Sequence, residues 1–164
     1  MESEVRIRAR EHWLLAGMAP DQAEQLLNTG REVRFESGEI VFREGDVADG
    51  LYLLVAGAIR LWSTGESGQT ILSVAHANDI VGEMGVLDGQ PRSATGTADS
   101  FCVAYFLPAE PFLDALEASN LVCMKMLAHM TNRLRTANGR LGESSASITL
   151  PNEQDPGDVW RKSA

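Results

Sequence analysis

Residues 82–95 read Gly82-Glu83-Met84-Gly85-Val86-Leu87-Asp88-Gly89-Gln90-Pro91-Arg92-Ser93-Ala94-Thr95. The stretch puts a carboxylate, a short helix-compatible run and an arginine close together in the chain. Gly82 lets the backbone come near a ligand or take a conformation that a Cβ would forbid. The first amides of the run Glu83–Leu87 would lack intrahelical acceptors and can bind the oxygens of an anion. Arg92 offers a planar fork of donors that matches two phosphate oxygens, and it keeps its charge at any physiological pH. Glu83 can accept a hydrogen bond from a hydroxyl, while the Ser93 hydroxyl and the Ala94 amide can add donors. Gly89-Gln90-Pro91 reads as the loop that turns the chain back into a strand. A lone Gly-Glu or a lone Arg carries no signal, and a purely structural Glu83–Arg92 ion pair is an alternative. The joint pattern, Gly-Glu-x-x-x-Leu followed by Pro-Arg-Ser-Ala-Thr, favours a site for an anionic ester that also presents a hydroxyl.

This stretch resembles the phosphate-binding cassette of the cyclic-nucleotide-binding domain family. Ser37-Gly38-Glu39, Phe42-Arg43-Glu44-Gly45-Asp46, Leu51-Tyr52-Leu53-Leu54 and Gly57 match the family's order of glycines and apolar pairs, and the resemblance covers residues 5–141. It is strongest to the bacterial catabolite-activator type, in which Ser follows the Arg, as Ser93 does here. Val81 departs from the more usual aromatic or Ile. The resemblance implies a mainly β fold with α: an antiparallel, jelly-roll-like β-roll of about eight strands, flanked by N-terminal helices and a long C-terminal helix. It implies a ligand, cAMP or alternatively cGMP, held by Gly82, Glu83, Met84, Gly85, Arg92, Ser93 and Ala94, with Arg133 and Asn138 added from the long helix. Arg92 would take the singly charged phosphate diester and Glu83 the ribose 2′-OH. In the family this helix lies over the base. Alignment on Met130–Leu134 puts two expected hydroxyl residues on Ala137 and Asn138. Ala137 can neither donate nor accept, which leaves Asn138 and Thr136 as the base-contact candidates.

The bulk of the sequence sets bounds on these expectations. The 164 residues suit one domain with a core plus a tail, and 44% hydrophobic content is enough for independent folding. No apolar run reaches the ~20 residues needed to span a bilayer, so no membrane contact is expected. The polar N-terminus carries no secretory pattern. Cys102 and Cys123 have no metal spacing and read as two small buried residues of a reduced, cytoplasmic protein. His12, His76 and His129 are scattered and read as surface or half-buried. No Ser-His-Asp arrangement and no zinc spacing appears, so neither an enzyme nor a metal or cofactor is expected. The net charge of −9 opposes nucleic-acid binding, which phosphate neutralisation drives.

The remaining pattern places the elements. N-terminal helices are expected within 4–29, the first over residues 4–16 and the second from Pro20-Asp21 to Leu27, with Gly30 as its stop. The β-roll is expected over 31–107. Its strands are marked by Val33, Phe35, Ile40 and Phe42 with a break at Ser37-Gly38, then by Leu51–Val55, Ile59–Ser63, Thr70–Val74, Ile80-Val81, Ser93–Ala98 and Cys102–Leu107. A hairpin turn is expected at Thr64–Gly68. C-terminal helices are expected over 108–141, a short one from Pro108 to Leu116 and a long one from Asn120 to Leu141. The domain therefore spans 1–141, and the Ser-rich, then acidic stretch 142–164 reads as a disordered tail with Trp160 a candidate docking residue. Asn120, Cys123, Leu127, Met130, Leu134, Ala137 and Leu141 recur at alternating spacings of three and four. That is a heptad seam for a homodimer; packing of the same stripe on the chain's own roll is the alternative. Lys125, Arg133, Arg135 and Arg140 make the helix basic.

The functional expectation is a stand-alone cyclic-nucleotide sensor that signals through movement of its C-terminal helix to an unidentified downstream protein. A winged DNA-binding domain would need roughly 60 or more residues, and 23 follow Leu141. The alternatives are a remnant of a catabolite-activator-type regulator lacking its DNA-binding domain and a ligand-free interaction module of the same fold.

Overall fold

The computed structural model describes residues 2–145, with side chains through residue 140. The chain divides into two compact units, Met1–Lys125 and Met126–Ala164. The expected tail begins as helix, since residues 142–145 continue the last described helix; its remainder, 146–164, with Trp160, lies outside the described residues.

The first unit is an eight-stranded antiparallel roll with helices, as the sequence leads one to expect. Its strands are β1 (Arg31–Phe35), β2 (Ile40–Phe42), β3 (Gly50–Ala56), β4 (Ala58–Gly65), β5 (Gly68–His76), β6 (Ile80–Val81), β7 (Thr95–Ala98) and β8 (Cys102–Pro108). They form two four-stranded sheets in the orders β1-β8-β3-β6 and β2-β7-β4-β5. The break at Ser37-Gly38 therefore sends consecutive strands into opposite sheets. Tyr52, Leu54, Ile59, Leu61, Val81, Ala98, Ala104 and Phe106 fill the space between them, with Phe35 and Phe42 packed against the cluster. Alternation supplies these side chains, because successive residues of a strand face opposite sides. The β4–β5 hairpin closes on the Gly65–Gly68 pair, within the expected turn.

The helices of this unit are α1 (Glu4–Glu11), α2 (Pro20–Thr29), α3 (Glu83–Asp88), α4 (Ala109–Ala118) and the start of α5 (Asn120–Ser145). Ser3 caps α1 by accepting the Arg6 amide at 3.2 Å, and Pro20 opens α2, where a missing N–H costs nothing. Arg6 ties the two helices together, donating to Glu24 at 2.8 Å and to the Tyr105 hydroxyl at 3.2 Å. The Arg6 hydrogen bond holds the Glu24 carboxyl below the usual carboxylate range.

α1 stops five residues short of the expected Ala16. The His12 ring accepts the Leu14 amide at 3.3 Å, and the Trp13 indole donates to the Asn78 carbonyl at 2.8 Å. Lys125 of α5 donates to the Trp13 carbonyl at 2.6 Å and to that of Ala16. These tertiary partners satisfy the segment outside a helix while Leu14 and Leu15 are buried. His12 is consequently buried, contrary to the surface or half-buried position expected of it. Cys102 is buried as expected, but Cys123 is exposed. Val122, one residue earlier on α5, is the one fully buried.

The second unit is described by the remainder of α5. The helix runs to Ser145, past the expected Leu141. Leu127 and Leu134 are 55% and 62% exposed, so these two seam positions present apolar surface to solvent in the single chain.

Candidate functional site

The site is built where α3 leaves β6 and returns towards β7. Gly82 caps the start of α3 with φ of +81°, a left-handed conformation that glycine adopts without a steric penalty. A Cβ there would also stand 2.4 Å from Arg92 Nη1, so the guanidinium needs this glycine's bare backbone. Gly85 has a similar reason: a Cβ would lie 2.6 Å from that of Ala48, and α3 could not sit on the loop before β3. Gly89 ends the helix with φ of +69°.

Arg92 is 3% exposed. Its backbone is paired with the turn at 45–46: the Arg92 amide donates to the Asp46 carbonyl at 2.8 Å, and the Gly45 amide donates to the Arg92 carbonyl at 2.9 Å. Its side chain donates from Nη1 to the Gly82 carbonyl at 2.7 Å and from Nη2 to Asp49 Oδ1 at 2.8 Å. The guanidinium carbon lies 4.6 Å from the centre of the Phe42 ring, which stacks in turn on Tyr52 at 5.9 Å. Burial pushes the Tyr52 phenol above its ordinary value, with the Arg92 charge opposing that shift. Arg92 Nε is buried and has no hydrogen-bond partner among the described residues. Such a group costs free energy unless something else accepts from it.

Glu83, at the first position of α3, is 1% exposed. Its neighbour Met84 is exposed, and the Ser93 hydroxyl donates to the Met84 sulfur at 3.7 Å. Ala94 is buried beside Thr95, whose hydroxyl accepts the Glu44 amide at 3.0 Å. Gly82, Glu83, Met84, Gly85, Arg92, Ser93 and Ala94 thus all belong to the first unit, in the α3 segment and the turn that follows it. Arg133, half-buried, and Asn138, exposed, lie on α5 in the second unit.

Two residues that contact the Arg92 side chain escaped the sequence reading. Asp49, the ion-pair partner of Arg92, is 43 residues away in the chain, and nothing in its own neighbourhood distinguishes it from the acids around it. Phe42 was legible as a strand residue but not as the surface under a cation. Among the described residues no group of three or more His, Cys, Asp or Glu could hold a metal ion. No described helix is long and apolar enough to cross a membrane.

Comparison with known proteins follows the same residues. The family model described as "Cyclic nucleotide-binding domain" matches residues 32–119. The Cyclic AMP receptor protein of Thermus thermophilus is 31% identical over 128 residues, covering 76% of this chain and 58% of the relative. Among solved structures, the Thermus thermophilus catabolite activator protein superposes with a TM-score of 0.68 at 29% identity, over 80% of this chain and 62% of that one. PfPKA-R with cAMP bound gives a TM-score of 0.61 at 26% identity, over 70% of this chain and 43% of that one. The chain spans less than two thirds of the length of each of these three.

Proposed function

The chain belongs to the cyclic nucleotide-binding domain family, and on that premise we propose that it binds a cyclic nucleoside monophosphate, cAMP before cGMP, and reports occupancy through α5. The observation that carries this reading is the state of Arg92. It is a buried cation, fixed on two sides and floored by an aromatic ring, with a buried Nε that no described residue accepts from. A structural arginine of this burial would be expected to spend its donors on the protein. A phosphate diester supplies the missing acceptors and a single negative charge.

Each cassette residue then has one task. Arg92 and the amides of Met84, Gly85 and Ala94 hold the phosphate oxygens, with the Ser93 hydroxyl as a further donor. Glu83 accepts from the ribose 2′-OH. Arg133 and Asn138 serve the base or a partner subunit. The reading includes a homodimer through Leu127, Met130, Leu134 and Leu141, supported by the exposure of Leu127 and Leu134. A ligand-linked shift in the population of α5 positions would be the signal, driven by the ligand's different affinity for those states. The output is a downstream protein and not a nucleic acid, since the net charge of −9 works against phosphate contact.

A thermal-shift panel of cAMP, cGMP and their linear monophosphates tests the reading. A ligand at a hundred times its Kd should add about 2.7 kcal/mol of stability. The absence of a shift with every cyclic nucleotide would leave the ligand-free interaction module as the better account.

A further inference from the structure

The acid that pairs with Arg92 lies outside the α3 segment. Asp49 Oδ1 stands 2.8 Å from Nη2, and the Asp49 side chain is 67% exposed while that of Arg92 is 2% exposed. A guanidinium has five N–H donors. Asp49 and the Gly82 carbonyl each accept from one terminal nitrogen, and Nε is unclaimed among the described residues. Two ligand oxygens can therefore be served by donors that Asp49 does not use. Asp49 need not leave when the phosphate arrives, and its carboxylate then stays beside the bound anion.

We propose that Asp49 is a specificity-determining residue, whose charge makes the site select a monoanionic phosphodiester over a dianionic phosphomonoester of the same nucleoside. This rests on the nucleotide-binding reading above. The site brings together one guanidinium, Arg92, and two carboxyl groups, Asp49 and Glu83, so Asp49 has already matched the cation's charge before a ligand enters. A cyclic diester adds one negative charge. A phosphate monoester carries about −1.5 to −2 near neutral pH, with its second pKa around 6. The second charge finds no further cation in this group and meets the Asp49 carboxylate. Solvent around that exposed carboxylate weakens the repulsion, so its effect on selectivity is set at roughly tenfold.

The test measures cAMP by calorimetry and 5′-AMP by displacement of cAMP, on the 164-residue chain and its Asp49→Asn variant. Both are measured at about pH 7.5 and about pH 5.5, either side of the monoester's second ionisation. The quantity read is the ratio of the two affinities, which cancels protein titrations common to both ligands. In the wild type the preference for cAMP should shrink at the lower pH, as the monoester loses its second charge. In Asp49→Asn the preference at the higher pH should be smaller by roughly tenfold, and its change with pH flatter. Equal ratios in the two proteins at both pH values would overturn the inference and leave nucleotide binding standing. Loss of cAMP binding in Asp49→Asn would also overturn it, making Asp49 a residue that positions Arg92. A wild type that binds no cAMP would instead sink the functional reading on which the inference depends.

Discussion

The surroundings of Arg92 and the later part of α5 are built on opposite plans. Around Arg92 every contact is fixed by another part of the same fold: Gly82 and Asp49 on the fork, Phe42 under its face, Asp46 and Gly45 on its backbone. The Arg92 and Glu83 side chains are buried there, and the contacts of Arg92 are made within the fold itself. On α5, Leu127 and Leu134 stand exposed, and the helix carries Arg135 and Arg140 along the same stretch. On the proposed reading, the first region has already met the ordering cost of binding, which is how a small anion would be held tightly. The second keeps apolar area in reserve, which has value only if something covers it. The proposed sensor would use both: a rigid place to read the ligand and a surface whose burial can change.

The sharpest way to break this contrast is Arg92→Ala. Removing one member of a buried charge pair costs roughly 2–5 kcal/mol, so cAMP affinity measured by calorimetry should fall by about 30- to 4000-fold. Binding within threefold of wild type would show that the buried arginine serves the fold and not a ligand. The opposite region is probed by Leu134→Asp in analytical ultracentrifugation. Burying the exposed part of two leucines contributes about 2–4 kcal/mol, so dimer affinity should drop by about 30- to 800-fold. A wild type that sediments as a monomer with and without cAMP would remove the dimer and with it the reason for the reserve of apolar surface.

Glu83→Ala comes next in size. A hydrogen bond to a charged acceptor contributes about 1.5–3 kcal/mol, so cAMP should bind about 10- to 150-fold more weakly. The 2′-deoxy analogue, which has no hydroxyl to donate, should be nearly unaffected. Equal losses for both ligands would make Glu83 a structural carboxylate and remove it from the preformed region.

What could be read in the sequence follows the same division between near and far. The α3 segment was legible because its glycines and its arginine are neighbours in the chain, and each residue type has a conformational or chemical reason to be there. The strands were legible from alternation and turn residues, and the end of α2 from Gly30. Sheet membership was not, because β1 and β2 are separated only by the four residues 36–39 yet pair with β8 and β7 respectively. The early end of α1 was hidden too: helical spacing continues through Trp13 and Leu14, but Asn78 and Lys125 supply better partners from far away. Asp49 and Phe42 belong to the same class of residue. Their role exists only after the turn at 45–46 has been pinned to Arg92, a pairing that no local pattern announces.

Phe42 offers the finest test of how rigid the region around Arg92 is. The ring has two jobs, since it lies 4.6 Å below the guanidinium and also stacks on Tyr52 in the core. Phe42→Leu keeps a strand-compatible apolar side chain of similar bulk and removes only the face that attracts the cation. A cation–π contact to a buried guanidinium contributes about 1–2 kcal/mol, so cAMP should bind about five- to thirtyfold more weakly. Packing loss alone would lower the melting temperature without favouring one ligand over another. The informative comparison is therefore Phe42→Leu against Phe42→Trp, whose larger ring keeps the attraction while disturbing the packing. If the floor matters through the cation, Trp should retain affinity despite a lower melting temperature, and Leu should lose affinity even where its stability is close to wild type. Affinities that simply follow the melting temperatures in both variants would show that Phe42 acts through the core, and that Gly82 and Asp49 alone hold Arg92 in place.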